Sequence, residues 1–159
     1  MRKLAFVILT TFLFYKTSFT QTLSFAEMQK SLDYNISDFE DYVTLKGFKF
    51  LNIYKDVDTC TVYSFSYSRN INNDHAVSFI DLIVCSEKNR IHQQFSDEKK
   101  YIEFKKVAKS LGYKYYNSRN ENDIIVSEFY NSKYSLLFGS QKANTGITIY
   151  GITLSYLSK

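Results

Sequence analysis

Hydrophobic residues in this chain recur first at helical spacing and then at alternate positions, and this succession occurs twice. Residues 39–52 read FEDYVTLKGFKFLN, and residues 104–117 read FKKVAKSLGYKYYN. In each stretch the period changes from about 3.6 residues to 2 after a glycine, which is typical of a helix that ends and a strand that follows. The pattern predicts an internal duplication, with repeats over about 24–95 and 96–157.

Capping signals locate the predicted helices. The segments SFAE, from Ser24, and SDFE, from Ser37, each place a serine three residues before a glutamate. This is the spacing of a capping box, in which two backbone N–H groups at the helix start gain partners. Asp97 and Glu98 suit the start of a further helix, which Gly112 ends.

Each helical region is followed by four predicted strands, which turn-forming residues separate. The predicted strands are Phe48–Tyr54, Thr59–Tyr67, Ala76–Cys85, Arg90–Phe95, Tyr113–Asn117, Ile124–Tyr130, Tyr134–Gly139 and Ile147–Tyr156. A sheet with one apolar face needs a cover, and the helices can supply it. The predicted fold class is α+β: two tandem helix-plus-four-strand-meander units form an antiparallel sheet with the helices on one face.

The N-terminus has the features of a secretory signal peptide. Arg2 and Lys3 precede twelve uncharged residues, LAFVILTTFLFY, which match a basic n-region and a short apolar h-region. A membrane-spanning helix needs about 20 apolar residues, so an anchor is the weaker interpretation. We expect residues 1–20 to be removed, which leaves 21–159 as a single α+β domain, secreted or periplasmic, with no integral membrane segment in the mature chain.

The net charge changes once the predicted signal peptide is removed. Three basic residues leave with it, so that 17 basic and 16 acidic side chains remain. Proteins that bind nucleic acid carry a dense basic face, which a net charge of about +1 does not favour. We therefore expect no nucleic acid partner.

The two cysteines, Cys60 and Cys85, are predicted to form a disulfide. A hairpin register that places them opposite each other also pairs Tyr63 with Leu82, apolar on apolar, as one buried face requires. Directly opposed residues lie within the distance that a disulfide tolerates. Cys85 with His92 is an alternative as a nucleophile and its base, but an oxidising compartment favours the disulfide.

Recognisable catalytic and metal-binding motifs are missing from the sequence. The two histidines, His75 and His92, have no metal-ligand spacing to another histidine or to a cysteine. The chain has no nucleophile elbow, no H-E-x-x-H segment and no phosphate-binding glycine loop. We therefore predict no catalytic residue, no metal ligand and no cofactor.

One face of the predicted sheet is a candidate binding surface. It mixes Ser, Thr and Asn with scattered Tyr, and tyrosine offers a rigid contact area together with a hydroxyl group. Asp81 is the most unusual carboxylate in the chain, because it lies within the apolar run FIDLIV. The candidate binding-face residues are Tyr150, Tyr156, Phe79 and Asp81, and an ordinary solvated sheet is the alternative.

The order of elements over residues 24–156 resembles the beta-lactamase-inhibitor-protein family, in which two tandem helix-plus-meander units form a small secreted chain. The paired short helices that open the first unit are part of the resemblance. The family's glycine-methionine-threonine opening and its cysteine pair in each unit are absent from this sequence. No inhibitory residue carries over to this chain.

These observations favour an exported, non-catalytic binding module that recognises a protein, a glycan or another cell-envelope component through its sheet face. The alternative is a small secreted enzyme, a hydrolase, whose site has no familiar motif. Clustered exposed aromatic residues would favour the module. A pocket that holds paired carboxylates, or His92 with a perturbed pKa, would favour the enzyme.

Overall fold

The computed structural model describes residues 21–55, 60–67 and 78–157. The predicted signal peptide, the predicted RNINND turn at 69–74 and His75 lie outside the described residues.

Within these ranges the chain forms three helices and eight strands. The helices are α1 (Phe25–Ser31), α2 (Ile36–Leu45) and α3 (Glu98–Ser110). The strands are β1 (Lys49–Lys55), β2 (Thr61–Tyr67), β3 (Ser78–Val84), β4 (Arg90–Phe95), β5 (Lys114–Glu121), β6 (Ile124–Tyr130), β7 (Tyr134–Lys142) and β8 (Thr148–Tyr156). Their order along the chain is the predicted one.

All eight strands belong to one antiparallel sheet, in the order β1-β2-β3-β4-β8-β7-β6-β5. Each half of the chain supplies one meander of four strands, and the two meanders join through β4 and β8. The predicted α+β fold of two tandem units is confirmed. Because the last strand of each unit meets the other in the middle, the first strand of each unit, β1 or β5, forms an outer edge.

The helix-to-strand transition has the same geometry in both units. Gly47 and Gly112 adopt φ angles of +87° and +79°, a left-handed conformation that ends a helix and that glycine adopts without strain. The next residue is buried in each case, and its N–H donates back to the preceding helix. Phe48 donates to the carbonyl of Val43 and Tyr113 to that of Ala108, both at 3.1 Å.

The two edge strands also share an irregularity. The register of β1 shifts between Phe50 and Asn52, and that of β5 shifts between Tyr115 and Asn117. Such bulges interrupt the row of free backbone groups at a sheet edge and so discourage pairing with another chain.

The capping predictions are confirmed for two helices and wrong for one. Ser24 forms the predicted capping box at α1, and the Asp97 side chain caps α3. The cap of α2 is Asn35 and not Ser37: the Asn35 side chain accepts a hydrogen bond from the N–H of Asp38 at 3.0 Å. Asparagine is as good a cap as serine, and the helix starts two residues earlier than predicted, so that Asn35 supplies the capping oxygen in place of Ser37.

The hydrophobic core lies between the helices and one face of the sheet. Alternate strand residues point into it, and these include Phe65, Ile80, Leu82, Ile91, Leu136, Phe138, Ile152 and Leu154. Aromatic rings from the helices pack against them. Phe39 lies 5.6 Å from Phe65 and Tyr101 lies 4.5 Å from Tyr150, centroid to centroid.

One polar side chain, Gln93 of β4, is fully buried within this core. Its Oε1 accepts a hydrogen bond from the N–H of Leu23 at 2.9 Å, and its Nε2 donates to the Leu23 carbonyl at 3.1 Å. The Gln93 side chain therefore pairs with both backbone groups of Leu23, which is not part of a strand. Buried backbone groups need such partners.

The Cys60–Cys85 disulfide is present, with its Cα atoms 4.4 Å apart. Thr61 pairs with Val84 and Tyr63 with Leu82, so the hairpin has the predicted register. The bond closes the β2–β3 hairpin on the face opposite the helices.

Several strands differ in length from the prediction. β5 continues to Glu121 instead of ending at Asn117, because Asn122 and Asp123 adopt φ angles of +49° and +66° and form a two-residue turn. Asn and Asp tolerate this left-handed conformation, which matches the twist of a tight hairpin. The tight turn therefore lengthens β5, whereas β6 has its predicted bounds.

Candidate functional site

A row of hydrogen-bonded polar residues crosses the middle of the sheet on the face opposite the helices, which we call the helix-free face. Ser64, Asp81, His92 and Thr153 are successive partners across strands β2, β3, β4 and β8. We call these four residues the polar row. Because alternate residues of a strand share a face, all four side chains project away from the helices.

The polar row is joined by two short contacts. Ser64 Oγ donates to Asp81 Oδ1 at 2.6 Å, and His92 Nδ1 lies 2.9 Å from Thr153 Oγ1. Between these pairs, Asp81 and His92 are cross-strand neighbours, and each group affects the pKa of the other. The arrangement fixes the orientation of the imidazole ring and of the carboxyl group.

Burial disfavours charge on the two titratable residues of the row. It raises the pKa of Asp81, although the hydrogen bond from Ser64 and the charge of His92 act in the opposite sense. Burial likewise lowers the pKa of His92, against the effect of Asp81. The imidazole is therefore neutral at pH 7, with one nitrogen that donates and one that accepts.

Next to the polar row, two glycines create a pocket in the sheet. Gly139 of β7 and Gly151 of β8 face each other in the register, so no side chain covers the backbone there. The cavity measures about 200 Å³, and His92, Gln94, Gln141, Ile124 and Ile149 are among its walls. We call it the glycine pocket.

Gly151 makes room for the imidazole of His92. A Cβ atom at residue 151 would lie 3.0 Å from Cε1 and 3.7 Å from Nε2 of His92, closer than the ring could accept without moving. With Nδ1 held by Thr153, Nε2 is on the ring edge beside the pocket, and no partner for it occurs among the described residues. The pocket thus offers one unused imidazole nitrogen.

The two units can be aligned through their strand pairing. Phe65 pairs with Ile80 in the first unit as Phe129 pairs with Leu136 in the second. Positions of β3 and β7 therefore correspond when they are counted from Ile80 and Leu136.

In this alignment, the first unit has side chains at the two positions where the second unit has the glycines of the pocket. Gly139 corresponds to Ile83, and their partners on the next strand, Gly151 and Arg90, correspond to each other. The second unit thus departs from the repeat at two facing positions. Glycine inside a strand weakens it and often marks a close approach of a ligand or another group.

The four residues predicted as a binding face do not share a face. Phe79 and Asp81 lie on the helix-free face, at positions next to Gln94 and His92. Tyr150 is buried against Tyr101 of α3, and Tyr156 donates a hydrogen bond to Asp33 at 2.6 Å on the helix side. The two tyrosines therefore belong to the helix-covered face, because they alternate in phase with the core residues of β8.

Sequence reasoning missed Gly139, Gly151, Gln94 and the link between His92 and Thr153. Glycines within two strand patterns were the available signal, since only 5 glycines occur in the whole chain. That they face each other depends on the β7–β8 register, and the His92–Thr153 link depends on how the two units join.

Larger surface depressions occur elsewhere, and the hydrogen-bonded polar groups in one of them, Ser24 and Glu27, belong to the capping box of α1. A groove of about 280 Å³ lies between α1 and α3, where Phe25, Phe104 and Val107 line it together with Lys100 and Glu103. Its aromatic walls already pack against each other and against the core. The groove is thus explained by the packing of two helices.

The structure also bears on the predictions for Cys85, for metal ligands and for membrane spans. Cys85 is bonded to Cys60, so it is not a nucleophile for His92. The described ranges contain no group of three or more His, Cys, Asp or Glu residues that could hold a metal ion. Across the same ranges every helix is too short or too polar to span a membrane.

Comparison of the chain with protein families, with curated proteins and with solved structures finds no match. The resemblance to the beta-lactamase-inhibitor-protein family therefore rests on the order of elements alone and stays a prediction.

Proposed function

We propose that this protein is an exported, non-catalytic module that binds a protein or a cell-envelope component through its helix-free face. The observation that carries the proposal is the polar row beside the glycine pocket. It places oriented hydrogen-bonding groups and an unfilled recess together in the centre of a face that the described helices leave uncovered.

The supporting physical argument is that the residues of this site lower the stability of the sheet. A partly buried carboxyl group and a partly buried imidazole destabilise a sheet unless they are paired, and two facing glycines weaken it further. Such features concentrate at sites that bind ligands. The disulfide adds support for export, because paired cysteines are typical of oxidising compartments.

The test is capture of envelope components from the native host by the purified protein, with variants that separate the two faces. Leu137, partly buried, is the neighbour of Thr153 on the helix-free face, so Leu137→Lys places a charge beside the site. Ile102 of α3 is exposed on the helix side, and Ile102→Lys is the matched control. We expect Leu137→Lys to lose a component that the wild type and Ile102→Lys retain.

An identical set of captured components for all three proteins would contradict the proposal. A loss with Ile102→Lys alone would place the binding surface on the helices. Circular dichroism of each variant confirms that the fold is kept.

The second candidate function is a small hydrolase, and two observations favour it: the lowered pKa of His92, which lines the glycine pocket, and the contact between Thr153 Oγ1 and His92 Nδ1. A hydroxyl beside a neutral imidazole is the arrangement of a nucleophile and its base. However, β8 is paired on both sides, so its backbone N–H groups are engaged in the ladders and do not form an oxyanion hole. Hydrolysis of activated esters that is lost in Thr153→Val would support the enzyme, and equal rates in both proteins would exclude this site.

A further inference from the structure

Among the described residues, the walls of the glycine pocket are of two chemical kinds and include no charged group. Gln94 and Gln141 contribute amide groups, and His92 contributes a neutral imidazole edge. Ile124 and Ile149 contribute apolar surface. A pocket of this composition suits an uncharged ligand that has both an amide and a methyl group.

The position of the pocket limits how a ligand can approach it. The pocket lies on β7 and β8, and β6 and β4 pair with the outer sides of these strands. Their backbone groups are therefore engaged in the ladders, and an extended peptide cannot bind here by adding a strand. Recognition has to use side chains and a small protruding group of the ligand.

An aromatic ring lies next to the pocket on the same face. Phe79 is the cross-strand partner of Gln94, and Gln94 is the partner of Gly151. Neighbouring strands are about 4.8 Å apart, so Phe79 lies about two strand spacings from the pocket floor. This is a suitable distance for the apolar face of a pyranose ring whose substituent enters the pocket.

We propose that the glycine pocket binds the acetamido group of an N-acetylated amino sugar, with the sugar ring lying over Gln94 towards Phe79. The acetamido methyl group contacts Ile124 and Ile149, and its N–H and carbonyl groups bond to the amides and to His92 Nε2. This inference rests on the proposed function and names the ligand class for that face.

The asymmetry of the two units supports the assignment. The first unit carries Ile83 and Arg90 at the positions of the two glycines. A bulky residue is therefore compatible with these strand positions, and the open space in the second unit is a feature of its own.

The test is a titration of the isotopically labelled, purified protein, followed by nuclear magnetic resonance. The probes are N-acetylglucosamine, its β-1,4-linked disaccharide, and glucose, which has a hydroxyl in place of the acetamido group. We expect the two acetylated sugars to shift the signals of Gly139, Gly151, Gln94 and His92, and glucose to leave them unchanged.

Gly139→Val is the informative variant because it fills the pocket from the floor. A Cβ at residue 139 would have an ordinary contact of 3.6 Å with Ile124 Cγ2, and valine suits a strand. Ser135→Val, which places the same valine side chain on the same face of β7 outside the pocket, is the matched control. We expect Gly139→Val to bind the acetylated sugars at least about tenfold more weakly, a change equivalent to about 1.4 kcal/mol, and Ser135→Val to bind them like the wild type.

Other outcomes overturn the inference. Equal responses to glucose and to N-acetylglucosamine, or equal binding by Gly139→Val, would mean that the acetamido group does not enter the pocket. A response to butyramide, which has the side-chain amide of glutamine and no acetamido group, without a response to the sugars would assign the pocket to a protein side chain instead. These three results leave the proposed function standing, whereas unchanged envelope capture by Leu137→Lys overturns the function itself.

Discussion

His92 and Thr153 stand opposite each other where the two four-stranded units join, and the imidazole Nδ1 of one lies 2.9 Å from the hydroxyl of the other. They are also corresponding residues, because each follows by two positions the matched pair Arg90 and Gly151. The junction of the two units therefore falls between the last two residues of the polar row, three of which belong to the first unit. The first unit supplies His92 and Gln94 to the glycine pocket, and the second unit supplies the two glycines and the isoleucines, so the pocket lies across the junction of the two units.

The first prediction compares the two repeated glycines. Gly47→Ala and Gly112→Ala each force alanine into the left-handed region, which costs about 1–2 kcal/mol. A Cβ at residue 47 would also lie 3.1 Å from the Tyr67 ring, whereas residue 112 has nothing within 4 Å. We expect Gly47→Ala to destabilise by about 1 kcal/mol more than Gly112→Ala, since tight packing adds a cost of that order. Urea denaturation checks this, and equal losses would show that the Tyr67 ring moves freely.

The second prediction concerns the disulfide. Cys60 and Cys85 are 25 residues apart, and a loop of that length stabilises by about 3 kcal/mol on the chain-entropy model. The double variant Cys60→Ser/Cys85→Ser should lose about that amount in urea denaturation. Adding reductant should destabilise the wild type equally and leave the double variant unchanged. Two reactive thiols per chain in the denatured, unreduced protein would contradict the bond.

The third prediction concerns pH and the start of α1. Burial alone would raise the pKa of Glu27, but hydrogen bonds from Lys46 and from the backbone and side chain of Ser24 lower it to about 2. Because this value is below that of the unfolded chain, Glu27 stabilises the fold above pH 4.5, and the contribution is lost as the pH falls towards 2. Glu27→Gln should therefore destabilise by about 1 kcal/mol at pH 7, a modest value because solvent screens the pair.

The difference between wild type and Glu27→Gln should vanish near pH 2. Glu40→Gln on the exposed side of α2 is the control. A difference that is the same at pH 7 and pH 2 would mean that the Glu27 charge plays no part.

The fourth prediction concerns the titration of His92. Burial lowers its pKa, so the ring should become half-protonated below pH 6.5, the ordinary histidine value. The native state then binds fewer protons than the unfolded chain, and the histidine makes the fold less stable as the pH falls through this window. Asp81→Asn removes the charge that opposes the shift and should lower the pKa of His92 further.

Imidazole nitrogen chemical shifts measure this titration. Glu128→Gln, which removes another carboxylate from the same line of cross-strand neighbours beyond Leu137, should leave the pKa of His92 unchanged. Protonation of His92 above pH 6.5 in the wild type would contradict the described burial.

The fifth prediction concerns Gln93. Gln93→Ala leaves the N–H and carbonyl of Leu23 without the partners they now have, and unpaired buried polar groups cost about 1–3 kcal/mol each. We expect a loss of at least about 2 kcal/mol and faster hydrogen exchange at Leu23. Gln94→Ala, on the opposite face of the same strand, is the control for strand propensity. Unchanged exchange at Leu23 would show that this segment is held by other contacts.

The repeat, the fold class and the disulfide register could be predicted because they depend on local periodicity and on short-range pairing. Gly47 and Gly112 end their helices because glycine adopts the left-handed backbone conformation readily. The pairing of Cys60 with Cys85 follows from one hairpin with one buried face. These are properties of neighbouring segments. The prediction for the cap of α2 is wrong because Asn35 and Ser37 are equally good caps by residue type. The contacts around the helix start decide between them.

Only the tertiary structure determined the site. The periodicity of β8 placed Tyr150 and Tyr156 on one face, but which face the helices cover depends on how α1 and α3 pack across both units. The joining of β4 to β8 brings His92 to Thr153, 61 residues apart, and the register of β7 on β8 sets Gly139 against Gly151. Such contacts are fixed by the burial of the whole apolar face, which no single segment of the sequence contains.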